Sequence, residues 1–452
     1  YKFFNQSNIY KGEIENNNVT NKEIETCDSW EYDHSFYAST VVTEWNLVCD
    51  KEWLISMSKS IFVVGNIISA TLLSYFADKF GRKPIILICS ILSIVSAITC
   101  AFASSFIMFA VARLFIAVGV TGADIIAFVL LMEIIGPERR AFYGIGVNFG
   151  WILGYFIPPG IAWLLRDWFW MQIVLTMPCT ILILLWWLLP ESPRWLLSHR
   201  KKEAALKVLS RAAKMNGSHC PKLDAKLEEI ISKTNKKCEK RASSNILQLF
   251  KPGLWQKTVV LFYVWCVVAF MYYGISYNTN ELAGDPFLNY ILYGVVEIVA
   301  YILAFFFIQS KGRKYPVVVT LVIAGASCLL IYPIPDDPIW MRTVMHLLGK
   351  LCITCSFAII YVFTAEIFPT VVRSIGLGSS CLGARLGSII APFVRELGRA
   401  IHPIVPQIIF GILAAIAGIL VLLLPETKDC NVPDTVEDAV GVSRNRSSKN
   451  EA

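Results

Sequence analysis

Ionisable side chains interrupt several long apolar stretches of this 452-residue chain. The candidates are Arg113, Asp124, Glu297, Lys350 and Arg385, with Arg395 and Glu396 close to the end of the stretch that holds Arg385. A charge in the middle of a bilayer costs about 3 kcal/mol or more unless it is paired or hydrated, so each one is predicted to mark a functional site. Glu297 and Arg385 fall near the midpoints of their stretches. They could pair with each other as a structural ion pair, or bind the opposite ends of a zwitterion.

Aromatic side chains accompany these charges. Trp265, Tyr272, Tyr273 and Tyr277 follow one another along a single stretch, and Tyr301 and Tyr361 lie in two others. A ring face attracts an ammonium group by about 0.5–2 kcal/mol, although packing or lipid contact is the alternative role. The predicted substrate-binding set is therefore Glu297, Arg385, Tyr272, Tyr273, Trp265, Tyr361, Tyr301, Asp124 and Lys350.

The composition is that of a membrane protein. Hydrophobic residues make up 55% of the chain and charged residues 17%, which is too little charge to cover a soluble surface. Stretches long enough to cross ~30 Å of hydrocarbon are predicted at residues 54–77, 85–103, 106–131, 141–165, 169–189, 254–275, 288–308, 317–333, 339–364, 374–397 and 403–424. The predicted fold class is an all-α membrane protein. The net charge of +7 does not indicate nucleic-acid binding, because basic residues concentrate in alternate loops, as the positive-inside rule describes.

The positive-inside rule also orients the chain. Loops after alternate stretches are predicted to be cytoplasmic, so residues 1–53 form an extracellular leader. Cys27 and Cys49 could form a disulfide in such a compartment, and Asn5 and Asn18 lie in glycosylation sequons. An extracellular leader requires a segment that sends it outside, so one further transmembrane helix is expected before Tyr1.

The two ends of the chain repeat one another. Residues 78–83 (DKFGRK) recur in part as residues 311–314 (KGRK), Glu133 with Arg140 recurs as Glu366 with Arg373, and residues 190–192 (PES) recur as residues 425–427 (PET). Three motifs in one order, each about 230 residues apart, indicate two homologous halves. The predicted domains are the leader, a first helical half at 54–189, a cytoplasmic linker at 190–253, a second helical half at 254–424 and a cytoplasmic tail at 425–452. The second half has six stretches and the first has five.

Charges at the helix ends are predicted to form a gate. The set comprises Asp78, Arg82, Glu133, Arg139, Arg140, Glu191, Arg194, Arg313, Glu366, Arg373 and Glu426. Salt bridges among them would hold the inner face shut and open as the halves move, which is the kind of two-state element that a conformational switch needs. The alternative is that these charges only set topology. In the linker, residues 201–213 and 222–231 have the pattern of amphipathic helices expected to lie against the inner membrane surface.

Motifs in three regions of the chain carry a resemblance to a known family. The leader segments at residues 27–33 (CDSWEYD) and 39–49 (STVVTEWNLVC), the linker segment at 190–196 (PESPRWL) and the segment at 363–373 (FTAEIFPTVVR) resemble the organic cation/anion/carnitine transporter family, solute carrier family 22 of the major facilitator superfamily. The resemblance extends over residues 27–427. It implies two pseudo-symmetric six-helix bundles, of which eleven helices are present, and secondary transport of small organic ions across the plasma membrane by alternating access.

Two positions bear on the branch of that family. Cation carriers of the family have an acidic residue where Arg385 stands, whereas anion and carnitine-type carriers have arginine. The segment 296–301 (VEIVAY), with Glu297, resembles the cation and carnitine pattern, although Val299 replaces the usual proline. Together the two positions are most similar to the carnitine/organic cation branch. The alternative is an organic anion exchanger.

Other classes of protein fit less well. The five histidines are scattered, which disfavours a membrane enzyme, and the Cys352-x-x-Cys355 pair lies in an apolar stretch where thiols pack as small hydrophobes. No nucleotide-binding loop is present, so ATP-driven transport is not predicted. We expect no metal or cofactor, while coupling to sodium or protons stays open. The expected partners are a small organic ion and the lipid bilayer, with the protein a monomer. A non-transporting receptor on the same fold is the remaining alternative.

Overall fold

The computed structural model describes residues 30–136, 139, 143, 146–217, 249–277, 285–331, 333–334, 339–369, 372–402 and 404–428. Helices dominate this part of the chain. They are α1 (Val41–Glu44), α2 (Trp53–Ile68), α3 (Ser74–Phe80), α4 (Arg82–Ala101), α5 (Phe106–Ile134), α6 (Asn148–Leu165), α7 (Trp168–Leu185), α8 (Pro193–Ser198), α9 (Lys202–Met215), α10 (Trp255–Tyr277), α11 (Pro286–Lys311), α12 (Lys314–Leu330), α13 (Ile339–Ile367), α14 (Arg373–Ala400) and α15 (Val405–Leu422). A π-helical turn, Ser69–Leu73, joins α2 to α3, and a 3₁₀ turn, Cys49–Lys51, precedes α2.

The helices confirm the membrane class predicted from the composition. Among the described residues, eight helical segments are long and apolar enough to cross a membrane. They are Cys49–Phe80, Arg82–Ala101, Phe106–Ile134, Trp255–Tyr277, Pro286–Lys311, Trp340–Ile367, Ile375–Ala400 and Val405–Leu422. Three shorter apolar helices, Gly150–Leu165, Trp168–Ile181 and Lys314–Leu330, bring the set to the eleven positions predicted from the sequence.

Polar residues begin several of these helices. Ser105 accepts a hydrogen bond from the backbone N–H of Met108 at the start of α5. Asp167 and Asp285 do the same for the first N–H groups of α7 and α11. A side-chain oxygen at this position satisfies backbone donors that the helix itself leaves free. These caps explain why helices that are apolar along their length begin where they do.

Most of the packing between spanning helices lies within one half of the sequence or the other. In the first half, α5 packs against α2 and α4, and α4 packs against α7. In the second half, α10 packs against α13 and α14, α11 against α13, and α12 against α13 and α15. A buried apolar cluster that includes Trp265, Phe363 and Phe368 forms the core of the second half. Two helix pairs, α2 with α14 and α6 with α11, join one half to the other.

The α2–α14 contact lies toward the helix ends next to the leader, which the charge pattern places outside. The Ser60 hydroxyl donates to the Ile389 carbonyl at 2.6 Å, and the Ser56 hydroxyl donates to the Pro392 carbonyl at 3.1 Å and to Glu396 Oε1 at 2.9 Å. Glu52 and Arg399 form an ion pair at the outermost point of the same contact. The outer ends of the two halves are therefore in contact in this conformation.

Part of the leader lies across these outer ends. The Trp45 ring packs 5.0 Å from Phe109 and 5.5 Å from Trp168, centroid to centroid, and the backbone N–H of Ala38 donates to the Arg166 carbonyl at 2.7 Å. All of these partners belong to the first half. Tyr37, in contrast, packs 5.3 Å from Phe287 of α11. The described part of the leader thus contacts both halves.

The leader's predicted modifications lie mostly beyond what the structure covers. Cys27, Asn5 and Asn18 are outside the described residues. Cys49 is exposed at the start of the 3₁₀ turn. The disulfide and the two glycosylation sites therefore stay predictions.

The linker begins by folding back onto the first half. Trp195 and Leu196 of α8 are buried with Ala205 of α9. The Trp195 indole N–H donates to the Asp78 carbonyl at the end of α3, at 2.7 Å. Segment 201–213 is helical as predicted, and its companion at 222–231 lies outside the described residues. The start of the linker is thus docked on helix ends of the first half.

Candidate functional site

Glu297 of α11 pairs with Lys350 of α13. Both side chains are completely buried, and Lys350 Nζ lies 3.1 Å from Glu297 Oε1. Glu297 therefore pairs with Lys350 in this conformation and not with Arg385, so the first of the two roles considered for Glu297 and Arg385 is not seen here, and their binding of the two ends of a zwitterion stays a prediction. Each residue of the observed pair lies the same distance into its helix from the outer end, and α11 packs directly against α13, so their side chains meet at one depth.

Two tyrosine hydroxyls complete the carboxylate's surroundings. Tyr272 of α10 donates a short hydrogen bond to Glu297 Oε1, and Tyr155 of α6 donates to the same oxygen at 3.2 Å. The two hydroxyl oxygens lie 2.9 Å apart. Glu297 Oε2 is buried and has no hydrogen-bond partner. Because Tyr155 comes from the first half and Tyr272 and Glu297 from the second, the site is built across the interface between the halves.

The ammonium of Lys350 lies among aromatic rings. Its Nζ is 3.3 Å from the centroid of the Tyr272 ring, 5.7 Å from that of Tyr155 and 5.8 Å from that of Tyr293. It also donates to the Ser276 hydroxyl at 2.9 Å. A carboxylate bordered by ring faces is the arrangement that binds ammonium groups by charge and by cation–π attraction. We refer to Glu297, Lys350, Tyr155, Tyr272 and Tyr293 as the carboxylate cage.

Arg385 of α14 lies in the neighbourhood of a different acid. Asp124 of α5, in the opposite half, and Tyr273 and Tyr361, in its own half, are close enough to be influenced by its charge, although Arg385 and Asp124 form no direct ion pair. Asp124 is exposed and Arg385 is half-buried, although each lies well inside a spanning helix. The two residues place a second set of charges in the spanning region besides the carboxylate cage.

The remaining aromatic residues that were predicted to bind substrate are Trp265, Tyr361 and Tyr301, and they lie in different environments. Trp265 is fully buried, donates from its indole N–H to the Thr364 hydroxyl at 2.9 Å and packs 4.4 Å from the Tyr361 ring. That environment favours a packing role for Trp265. Tyr361 is 44% exposed, which leaves its ring open to a solute. Tyr301 is half-buried and lies one helical turn after Glu297 on α11.

The inner charges of the first half form one cluster. Arg82 Nη2 lies 3.0 Å from Glu133 Oε1 and 2.9 Å from Asp78 Oδ1. Glu191 accepts from the backbone N–H groups of Arg82 and Lys83, at 3.0 and 3.1 Å. The cluster ties the linker and the ends of α3 and α5 to the first turn of α4.

The second half repeats this cluster. Arg313 Nη2 lies 2.8 Å from Glu366 Oε1, and Glu426 accepts from the backbone N–H groups of Arg313 and Lys314, each at 3.0 Å. These ion pairs join helix ends within one half rather than across the two, so a gating role stays a prediction. Arg139 and Arg194 are exposed, Arg373 donates from Nε to the Phe368 carbonyl at 3.4 Å, and Arg140 is outside the described residues.

Three residues at or near the site were not among those predicted from the sequence. Tyr155 and Tyr293 have no signal beyond being tyrosines in apolar stretches, because their roles depend on which helices meet. Lys59 of α2 did have a signal, since it is a charge inside the first predicted span. Its Nζ lies 4.5 Å from the centroid of the Tyr277 ring, in the opposite half.

Comparison with known proteins agrees with this architecture. The sequence model of the family described as "Sugar (and other) transporter" matches residues 6–433. An organic cation transporter protein of Drosophila melanogaster is 36% identical over 93% of this chain and 77% of its own length. Organic cation/carnitine transporter 2 of Homo sapiens is 35% identical over 93% of this chain and 75% of its own length. Among solved structures, the inward-open xylose transporter XylE from E. coli matches with a TM-score of 0.65 at 18% identity, over 87% of this chain and 90% of that one.

Proposed function

Because this chain belongs to the organic cation and carnitine transporters of solute carrier family 22, within the sugar (and other) transporters of the major facilitator type, we propose that it carries small organic cations or zwitterions of the carnitine type by alternating access. It is a multi-pass membrane transporter and not an enzyme. The substrate class and residence in the plasma membrane are parts of the proposal.

The carboxylate cage is the observation that supports a substrate with an ammonium group. A buried carboxylate needs a cation beside it, and the faces of Tyr272, Tyr155 and Tyr293 suit a quaternary ammonium that cannot donate hydrogen bonds. Arg385 offers a guanidinium to a carboxylate at the other end of a solute.

A zwitterion would use both polar regions. Its ammonium group would lie at Glu297 and the surrounding tyrosine rings, and its carboxylate would lie at Arg385, whereas a cation or an anion would use only one of the two. The alternative within the family, organic anion exchange, is favoured by the positive charges of Lys350 and Arg385 taken alone.

Tracer uptake by cells that express the full-length protein tests the proposal. The tracers are tetraethylammonium, carnitine and glutarate, and the variants are Glu297→Gln and Arg385→Ala. Loss of a charge-assisted contact worth about 1.5–3 kcal/mol should lower uptake roughly 10- to 100-fold. We expect Glu297→Gln to lower uptake of tetraethylammonium and carnitine, and Arg385→Ala to lower uptake of carnitine more than that of tetraethylammonium.

Matched controls are available on the exposed face of α9. Glu203→Gln and Lys207→Ala remove the same kinds of charge far from the site and should leave uptake unchanged. Surface biotinylation corrects each rate for the amount of protein at the membrane. Glutarate uptake that survives Glu297→Gln and fails in Arg385→Ala would establish the anion exchanger instead. Wild-type rates for every tracer in both variants would refute the proposed site.

A further inference from the structure

Lys350 occupies the position that a substrate's ammonium group would need. Its Nζ contacts Glu297 at 3.1 Å and lies over the Tyr272 ring at 3.3 Å, and both charged side chains are completely buried. No second cation can bind at Glu297 Oε1 and on the Tyr272 face while the lysine remains there. The cage is therefore already filled by a group that belongs to the protein.

The buried negative charge of Glu297 explains why a cation must occupy the carboxylate cage. A carboxylate buried without a cation is strongly unfavourable, so the cage needs one positive charge whether or not a solute is bound. Lys350 supplies that charge here but leaves Glu297 Oε2 without a hydrogen bond. The lysine thus contacts one of the two carboxylate oxygens, and a larger cation whose charge lies against both oxygens can compete with it.

We propose that Lys350 is a tethered stand-in for the substrate. Its ammonium neutralises Glu297 while the carrier is empty, and a substrate's ammonium displaces it from the Tyr272 face during binding. The inference rests on the proposed function and concerns the same site. The four-carbon stem of lysine allows the ammonium to swing aside without backbone movement, and the compact charge can be rehydrated.

The stand-in has a consequence for transport. A carrier that moves substrate in one direction must return empty, which means that its site must change sides without a bound solute. An uncompensated Glu297 would oppose that return, because its charge would remain buried throughout. With Lys350 in place the empty cage is neutral, so the empty carrier can return and net transport is possible.

The alternative is a permanent structural pair that fastens α11 to α13. The two readings differ in which mode of transport depends on Lys350. A stand-in acts in the empty carrier alone, so its loss affects net transport more than exchange, in which the carrier is loaded in both directions. A permanent fastening acts in every state, so its loss affects both modes in the same proportion.

Reconstituted full-length protein and the tetraethylammonium tracer separate these readings. Net uptake is measured into vesicles without internal substrate, and exchange into vesicles preloaded with unlabelled tetraethylammonium. We expect Lys350→Met to raise the ratio of exchange to net uptake at least tenfold and to tighten tetraethylammonium binding. The exposed Lys207→Met serves as the matched control, for which the ratio should equal that of the wild type.

Two further variants show whether the effect of Lys350→Met comes from the lost positive charge or from loss of folding. Lys350→Arg keeps the charge and should keep a ratio closer to the wild type than Lys350→Met does. The double variant Glu297→Gln with Lys350→Met removes both charges, and its ratio should fall back toward the wild-type value while its affinity for tetraethylammonium drops. If Lys350→Met unfolds during purification, tetraethylammonium in all buffers should restore folded protein, and a failure to do so contradicts the proposal.

The outcomes distinguish this inference from the function on which it rests. A wild-type protein that moves tetraethylammonium, with an unchanged ratio in Lys350→Met, overturns the stand-in and leaves the transporter in place. A wild-type protein that moves no tetraethylammonium in either mode overturns the proposed cation transport, and the stand-in with it.

Discussion

At the scale of single residues, two glutamates begin two helices in the same way. Glu191 and Glu426 each accept two backbone N–H groups at the start of α4 and α12, where a helix N-terminus attracts negative charge. A glycine with positive φ lies just before each helix: Gly81, with a φ of 110°, directly precedes α4, and Gly312, with a φ of 90°, lies two residues before α12. A Cβ there would come within 2.6 Å of Glu191 and 2.8 Å of Glu426. The close approach of the carboxylate therefore requires glycine at both positions.

Glu426 gives this arrangement a measurable pH dependence. Burial raises its pKa, but hydrogen bonds from the N–H groups of residues 313, 428, 314 and 427 outweigh burial and hold the pKa below the usual glutamate value. A lowered folded-state pKa stabilises the protein fully above the unfolded pKa of about 4.3, and this contribution is lost as the pH falls through the folded pKa. Glu426→Gln should lower the free energy of unfolding at pH 7 by about 1 kcal/mol, a modest value because the carboxylate is partly exposed.

Thermal unfolding of the purified full-length protein at several pH values measures this effect. The difference between wild type and Glu426→Gln should shrink as the pH falls below about 4. The exposed Glu203→Gln is the control and should show no comparable difference at pH 7. A gap between wild type and Glu426→Gln that is constant across the pH range would contradict the assignment.

At the scale of elements, α2 and α14 form an outer latch made of Ser56, Ser60 and the carbonyls of Ile389 and Pro392. Pro392 has no N–H, so α14 loses one of its internal hydrogen bonds near this point. Hydroxyl groups from α2 donate to carbonyls on this stretch of α14 and add polar contacts between the halves. The latch holds the outer ends together through bonds that can break and re-form.

Removing the latch should open the outer face. Each hydroxyl bond contributes about 1 kcal/mol, so Ser56→Ala with Ser60→Ala should shift the balance toward separated outer ends by roughly tenfold or more. Spin labels on unnatural amino acids at Phe102 and Ile401, both exposed at outer helix ends, report the separation by double electron–electron resonance. Ser90→Ala is the matched control, since that buried hydroxyl bonds to the Ile86 carbonyl of its own helix. Identical distance distributions in the wild type and the double variant would rule out the latch.

The positions of the spanning helices were the feature that the sequence predicted best. Uninterrupted apolar runs such as 85–103 predicted spanning helices because length and the absence of charge are enough to do so. The pairing of Glu297 was not predictable in the same way. Lys350 and Arg385 both lie deep in apolar stretches, and which of them meets Glu297 depends on the rotation and neighbours of α13 and α14. The role of Tyr155 was not predictable for the same reason, because it depends on a contact between helices more than 100 residues apart in the chain.

At the scale of the whole molecule, the duplicated clusters make each half a self-contained body. Arg82 with Glu133 braces the first half and Arg313 with Glu366 braces the second, while contacts such as Ser60 with Ile389 and Tyr155 with Glu297 join them. One set of contacts that holds each half together and a separate set that joins the halves are what rigid-body rocking of one half against the other requires. The covalent link between the halves then contributes little to their association.

Cutting the linker tests this independence. A protease site inserted after Gly217 leaves α8 and α9 with the first half, where Trp195 is docked on Asp78. After cleavage in membranes, we expect the two fragments to purify together and tetraethylammonium uptake to stay within about twofold of the uncut protein, because the interhelical contacts remain. An uncut insertion variant is the control. Fragments that separate in mild detergent, or uptake that disappears on cleavage, would show that the linker itself holds the halves together.

Under the proposed function, the place of Tyr155 has a consequence for the choice of substrate. Its hydroxyl belongs to the first half and reaches Glu297 of the second, so a solute held at Glu297 would touch both halves at once. We therefore expect amines that are too bulky to leave Tyr155 beside Glu297 to bind without being carried, and closely related amines to differ in whether they are transported or inhibit.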